Sequence, residues 1–206
     1  MKKVILLSFC IILLLAAVTS AYAADKYALG MGNVALKGDY FSFTDDVFDD
    51  IDLEDGAYVG LEVSRALMPN LYLAAEAGWA ETSNDEDIIV FGRRTNVDID
   101  VTYVPVELNL KYAVEFAPRW VFGIGAGASY NYFNIDVDID GASGDEDDWL
   151  WGGQAFADLT YKMGSWFFGI NGKYQFTEDI ELGLDDEETD TNANNWRASA
   201  QLGVMF

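Results

Sequence analysis

The chain has 206 residues and a formal net charge of −23, with 35 acidic residues, 12 basic residues and no histidine. The charge balance excludes nucleic acid as a partner, because phosphate binding requires clustered lysine and arginine side chains. The lack of histidine excludes the Ser–His and Cys–His arrangements of nucleophilic catalysis. We therefore expect a protein that is not an enzyme.

The N-terminus has the pattern of an export signal. Lys2 and Lys3 precede an apolar run over residues 4–18, and residues 21–23 (AYA) match an A-x-A cleavage site. The run is shorter than the roughly 20 residues that a spanning helix needs, which favours a cleaved signal over an anchor. We predict a signal peptide over residues 1–23 and one domain over residues 24–206. Cleavage would remove Cys10, the only cysteine, so the mature chain would lack a disulfide.

The first part of the domain predicts three strands. They cover residues 26–43, 56–67 and 71–81, with acidic loops at 44–55 and 82–92 and a tight turn at 68–70, where Pro69 and Asn70 favour turn geometry. In the first strand the apolar parity changes between Met31 and Val34, so its sequence leaves open which later side chains share a face.

A long hairpin follows, over residues 93–140, folded about Ala117-Pro118. Large apolar residues occupy the even positions from Val104 to Val114 and again from Trp120 onwards, and small, polar or charged residues occupy most of the odd positions. Successive side chains on a strand point to opposite faces. Each strand therefore has one apolar face and one face of small or polar groups.

The remaining sequence completes a set of eight strands. An acidic loop at 140–148 precedes strands at 149–163 and 166–177, and a long acidic loop precedes the last strand at 196–206. Short tight turns thus alternate with long acidic connections, which is typical of outer-membrane barrels. A soluble barrel would instead expose a face of glycine, alanine, serine and charges. We predict an all-β fold, an eight-stranded antiparallel up-and-down transmembrane β-barrel.

Residues 102–112 (TYVPVELNLKY) and the terminal Phe206 carry a family resemblance. The chain resembles the small outer-membrane β-barrel proteins, which include the outer-membrane-protein-A transmembrane domain and short porin-family proteins. The resemblance implies a location in the outer membrane, contact with lipopolysaccharide, and recognition of Phe206 by the barrel-assembly machinery. It does not extend to a peptidoglycan-binding domain, so we expect no wall-anchoring role. Barrel enzymes of this size rely on a histidine, which this chain lacks.

The polar faces of the strands predict charges inside the barrel. An eight-stranded barrel is narrow enough for side chains to fill it, and charges there must pair or stay hydrated. A solid polar plug is the favoured interpretation, and a narrow pore gated by ion pairs is the alternative. Glu62 and Glu76 should be neighbours across the turn at Pro69, approached by a basic group. The predicted interior residues are Glu62, Glu76, Glu107, Lys111, Asp158, Lys173 and Arg197.

The predicted loops hold 23 of the 35 acidic residues. They form either a solvated, repulsive surface or a loose site for Ca²⁺ or Mg²⁺, directly or as bridges to lipopolysaccharide. Residues 136–141 match the first half of an EF-hand loop, but Asp147 replaces the glutamate expected at its twelfth position. No other cofactor is predicted. The candidate cation ligands are Asp98, Asp100, Asp136, Asp138 and Asp140.

The apolar parity of the long hairpin switches between Tyr103 and Val104 and again between Tyr132 and Phe133. Paired β-bulges would explain both switches. The interpretation that we prefer is that the hairpin leaves the lipid at this level, which turns its apolar face inward above a polar plug and its aspartates outward. It predicts regular strand pairing without bulges.

Three functions follow from these patterns. The first is a structural or narrow-pore role. The second is a surface interaction protein that binds divalent cations, lipopolysaccharide or a basic partner. The third is a transporter for small apolar molecules.

Overall fold

The computed structural model describes residues 27–45, 55–90, 93–139, 142–180 and 191–206. The predicted signal peptide lies outside these ranges. No helix in the described part of the chain is long and apolar enough to cross a bilayer.

Eight antiparallel strands close into a barrel with the order β1-β10-β7-β6-β5-β4-β3-β2, which confirms the predicted fold class. Two further short strands, β8 and β9, pair with each other in a separate sheet. The strands are β1 Gly32–Phe43, β2 Asp55–Met68, β3 Leu71–Val90, β4 Arg93–Ala117, β5 Trp120–Ile139, β6 Ala142–Met163, β7 Trp166–Thr177, β8 Asp179–Ile180, β9 Thr191–Asn192 and β10 Asn195–Met205.

The barrel is taller on one side than on the other. Strands β3 to β6 contain 20 to 25 residues, whereas β1, β2, β7 and β10 contain 11 to 14. About 9–11 tilted residues cross a bilayer. The four long strands therefore extend past the membrane as a sheet, at the end opposite the short turns. We call these two ends the loop end and the turn end.

Two predicted loops are wrong because of this extension. Residues 82–90 continue β3, and residues 142–148 belong to β6. Their acidic composition suggested loops, but regular pairing with β4 and β5 gives their backbone groups hydrogen-bond partners. An exposed sheet face also tolerates charged side chains, because they remain solvated there.

The start of the first strand also differs from the prediction. Strand β1 begins at Gly32 instead of residue 26, and residues 28–30 form only an isolated bridge. Leu29 is buried, and its N–H donates to the Tyr72 hydroxyl at 2.9 Å. That hydroxyl donates to the Gly30 carbonyl at 3.2 Å. The segment before β1 therefore packs against β3 instead of lengthening the barrel wall.

The outer face of the barrel is apolar in the region that crosses the membrane. Leu108, Ile124, Ile170 and Leu202 each expose at least half of their surface, while their chain neighbours are glycines or polar residues that face inward. Such an apolar outer face would be unstable in water but is the surface that lipid requires. The alternation therefore corresponds to a membrane barrel.

Candidate functional site

Six buried charged side chains meet at mid-height inside the barrel. We call them the central ion cluster: Lys37, Glu62, Glu76, Glu107, Lys173 and Arg197. None of these side chains exposes more than 3% of its surface. Charges this deeply buried are stable only when they are paired, so the cluster must hold together as a unit.

The three glutamates form one row across neighbouring strands. Glu62 pairs in register with Glu76, and Glu76 pairs with Glu107. Glu62 and Glu76 are thus neighbours, as the sequence predicted. Like charges directly opposite one another destabilise a sheet. The row therefore depends on cations that reach it from β1, β7 and β10.

Each cation of the cluster bridges two glutamates. The Lys37 ammonium lies 2.6 Å from a carboxylate oxygen of Glu62 and 2.6 Å from one of Glu76. The Lys173 ammonium lies 2.9 Å from Glu76 and 2.5 Å from Glu107. The Arg197 guanidinium pairs with Glu107 and lies 3.7 Å from Glu76. The Lys173 and Arg197 bridges join β7 and β10 to β3 and β4 on the opposite wall, whereas Lys37 joins β1 to the nearby β2 and β3.

Arg197 is further fixed by an aromatic contact. Its guanidinium carbon lies 4.5 Å from the centre of the Tyr58 ring, and the Tyr58 hydroxyl donates to Glu76 at 2.9 Å. A cation over an aromatic face is attracted by the negative face of the ring. Tyr58 therefore restrains one cation and one carboxylate of the cluster at once.

Lys111 and Asp158 form a separate pair nearer the turn end. The Lys111 ammonium lies 2.8 Å from Asp158, whose other oxygen accepts a hydrogen bond from the Thr160 hydroxyl at 3.3 Å. The structure thus places all seven sequence-predicted interior residues inside the barrel, with five in the central ion cluster and two in this pair.

Sequence reasoning missed two interior charges, Lys37 and Asp39. Both lie on β1, whose changing parity gave no inward face. The register of β1 with β2 places Lys37 and Asp39 on the buried face. One Asp39 oxygen has no hydrogen-bond partner in the described part of the chain. The buried charges of the described residues are five carboxylates and four cations, so one carboxylate exceeds the available cations.

Apolar clusters close the lumen on both sides of these charges. The loop-end cluster packs aromatic rings such as Phe41 and Phe43, whose centroids are 4.6 Å apart, against Tyr103 and Phe133. The turn-end cluster consists of Ala28, Leu29, Tyr72, Ala113 and Val121. The preferred interpretation of the sequence turned the apolar face of the long hairpin inward above the polar plug, at the loop end. The structure has a packed cluster there, because aromatic side chains from β1, β2, β4 and β5 fill the space.

The aspartates of the long hairpin lie opposite one another on the projecting sheet. Asp98 pairs in register with Asp138, and Asp100 with Asp136. Asp100 and Asp136 are exposed, on the face opposite the buried Val101 and its inward neighbours. The side chain of Asp98 and all of residue 140 lie outside the described residues.

The pairing of β4 with β5 keeps one register from Val97 to Glu115. Regular pairing at the parity switch is therefore confirmed, and paired bulges are not the cause. Within the described ranges, no group of three or more Asp, Glu, Cys or His side chains is placed to hold a metal ion. We call the outward face of the hairpin that carries Asp100 and Asp136 the acidic face.

Phe206 lies at the seam where the barrel closes. Its N–H donates to the Gly32 carbonyl at 2.9 Å, and its carbonyl accepts from the Gly32 N–H at 3.0 Å. The ring is about half exposed, at 44%. The residue predicted as an assembly signal thus extends the β10 ladder at the turn end.

Known structures share this architecture. Neisserial surface protein A is 13% identical with a TM-score of 0.59, over 86% of this chain and 98% of that one. OprG from Pseudomonas aeruginosa is 13% identical with a TM-score of 0.53, over 87% and 99%. A major outer membrane protein from Thermus thermophilus is 12% identical with a TM-score of 0.53, over 85% and 99%. At these identities the similarity concerns the fold alone.

Sequence comparison assigns the family. No curated protein matches the chain significantly. The family model of the outer membrane protein beta-barrel domain matches residues 11–206, nearly the whole chain. The protein therefore belongs to the outer membrane β-barrel family, and its eight strands form a barrel of the bacterial outer membrane.

Proposed function

We propose that the protein is a non-enzymatic structural barrel whose lumen is a solid plug. The central ion cluster carries this proposal, since its Lys173 and Arg197 bridges cross the lumen between opposite walls. An open pore would need hydrated charges facing a water path. Here the side chains of Lys37, Lys173 and Arg197 are at most 1% exposed and each lies within hydrogen-bond distance of a glutamate.

The two apolar clusters support the same proposal. Ions entering from the loop end would first meet packed aromatic rings, and those entering from the turn end would meet Leu29 and Tyr72. In an eight-stranded barrel, side chains alone can fill the interior. The narrow-pore alternative would require all three layers to rearrange together.

A plugged lumen predicts that the protein does not conduct ions. In planar lipid bilayers the unmodified protein should show no steady conductance, because no layer of the lumen is open. Replacing both Lys37 and Lys173 with alanine removes two bridges and their long side chains, and this variant should admit ions. A Lys162→Ala variant, altered at the turn-end rim, should stay silent. Stepwise single-channel currents from the unmodified protein would instead support the narrow pore.

The proposal includes the biogenesis of the protein. Export would use residues 1–23 as a cleaved signal, so the N-terminal sequence of protein isolated from outer membranes should begin at Ala24. Recognition of Phe206 by the barrel-assembly machinery would follow export. The position of Phe206 at the closing seam supports this role, because β1 and β10 must meet there for the barrel to close.

A second candidate function is cation-mediated contact with lipopolysaccharide at the projecting sheet. The opposed pair Asp100–Asp136 favours it, because like charges directly opposite each other are destabilising unless a counter-ion relieves them. Mg²⁺ or Ca²⁺ held along this face would also bridge to lipid phosphates. A basic protein partner would meet the same requirement. Transport of small apolar molecules has less support, because the loop-end cluster fills the route inward.

This acidic face predicts a specific response to divalent ions. Millimolar Mg²⁺ or Ca²⁺ should raise the melting temperature more than Na⁺ at equal ionic strength. Changing Asp100 and Asp136 to asparagine should reduce that difference, whereas Glu115→Gln at the turn end should leave it unchanged. Equal effects of sodium and magnesium would mean that simple screening explains the stabilisation.

A further inference from the structure

Two of the short turns have the same form, a proline followed by a residue with positive φ, but the second residue is asparagine in one and arginine in the other. Pro69-Asn70 precedes β3, and Pro118-Arg119 precedes β5, each after the preceding strand has ended. Asn70 has a φ of 68° and Arg119 a φ of 72°. Asparagine enters this left-handed region readily, whereas a long side chain does so at a conformational cost. Arg119 therefore occupies a turn position at which asparagine is the less strained residue, as Asn70 shows in the equivalent turn.

Arg119 lines a cavity of about 360 Å³ at the turn end. Lys162, Ser165 and Tyr27 contribute to the same wall, together with Glu115. Residues held in unfavourable backbone conformations cluster at functional sites. The conformational cost at Arg119 and its place in this cavity thus point to a ligand.

The cavity is lined by two cations, Arg119 and Lys162, and by two carboxylates, those of Glu115 and of the terminal Phe206. Glu115 pairs with the Lys162 ammonium and also accepts a hydrogen bond from the Arg119 N–H at 2.9 Å. One cation is thereby neutralised and the turn is fixed in place. The Arg119 guanidinium forms no ion pair within the described residues and is exposed. Arg119 is therefore the cation of this cavity that remains available to an anion.

We propose that this cavity binds a phosphate group. A guanidinium offers a rigid fork of donors that matches phosphate oxygens, and Lys162 adds a second cation nearby. The hydroxyls of Ser165 and Tyr27 are further donors in the same cavity. The volume lies within the range of small-ligand sites.

The bound phosphate group could belong to a phospholipid head group or to a free phosphate ion. The lipid-facing Trp120 and Trp166 begin the strands next to the cavity, at the level where aromatic residues mark the membrane interface. A phospholipid head group could therefore reach the cavity from the bilayer, and free phosphate could reach it from solution. Both present the same oxygens to Arg119.

The decisive variant is Arg119→Asn, which copies the turn at Asn70. Without phosphate it should be at least as stable as the unmodified barrel, because the conformational cost is removed. Its affinity for inorganic phosphate, measured by calorimetric titration in detergent, should fall by about tenfold or more, as expected for a lost charged hydrogen bond. Lys162→Gln leaves the turn residue unchanged and should also weaken binding. Arg65→Asn, at the same end but outside the cavity, should not.

Phosphorus NMR of the barrel in phosphatidylglycerol vesicles separates the two sources. An immobilised lipid phosphate that is lost in Arg119→Asn identifies a head group, and release of that signal by added inorganic phosphate identifies a shared site. Binding of inorganic phosphate in detergent without an immobilised lipid signal identifies the soluble ion. The proposal fails if Arg119→Asn binds phosphate and lipid like the unmodified protein, or if Arg65→Asn weakens binding as much.

Discussion

Replacing Arg197 with methionine should lower the free energy of unfolding by about 3–5 kcal/mol, the cost of breaking a buried ion pair by removing one partner. The guanidinium is fully buried and pairs with Glu107, so its loss leaves three buried glutamates with only two cations, Lys37 and Lys173. Methionine keeps much of the side-chain volume, which separates the charge effect from a cavity. Urea unfolding in lipid vesicles, followed by tryptophan fluorescence, measures the change.

Three variants make this result specific. Lys162→Met breaks a partly exposed pair at the rim and should cost less than about 1 kcal/mol. Adding Glu107→Gln to Arg197→Met should restore part of the loss, since it removes the excess negative charge that the first change leaves in the cluster. Asp39→Asn should stabilise the barrel, because Asp39 is the buried carboxylate without a matching cation. If Arg197→Met and Lys162→Met cost the same, the plug is not held by its charges.

Replacing Gly127 with valine should prevent stable closure of the barrel, with a loss of at least about 3 kcal/mol from overpacking. A Cβ at this position would lie 2.2 Å from the Leu108 carbonyl oxygen and 2.2 Å from the Asn109 amide oxygen. The carbonyl belongs to the neighbouring strand and cannot move without breaking the ladder. The folded band in unboiled gel samples should therefore be absent or strongly reduced.

Gly172 provides the matched control for this prediction. It also lies in the middle of a barrel strand, but it faces outward and a Cβ there would meet nothing within 4 Å. Gly172→Val should fold with a normal yield in the same gel assay. Equal folding of both variants would mean that the inward glycines of β5 do not set the packing of the lumen.

In the proposed function, the plug and the projecting sheet have different tasks. The central ion cluster joins the walls of the barrel through side chains. If the lumen is closed as proposed, contact with the surroundings takes place at the two ends. The loop end presents opposed aspartates, and the turn end presents Arg119 and Lys162.

Alternation along the chain was sufficient to predict the strand number, the membrane-facing side of most strands and several pairings. A strand repeats every two residues, so alternation identifies its faces, and a short turn then sets the register. This is why Glu62 and Glu76 could be placed as neighbours across Pro69-Asn70. The two parity switches of the long hairpin likewise lie opposite each other in the β4–β5 register.

By contrast, the pairing of specific charged side chains inside the barrel is decided only when the sheet closes. Lys37 on β1, Lys173 on β7 and Arg197 on β10 reach glutamates on β2, β3 and β4, and contacts across the lumen depend on how that sheet is tilted and staggered. Local sequence contains no information about the stagger. The sequence also could not predict that β3 and β6 continue through acidic segments, because this extension depends on hydrogen-bond partners in β4 and β5.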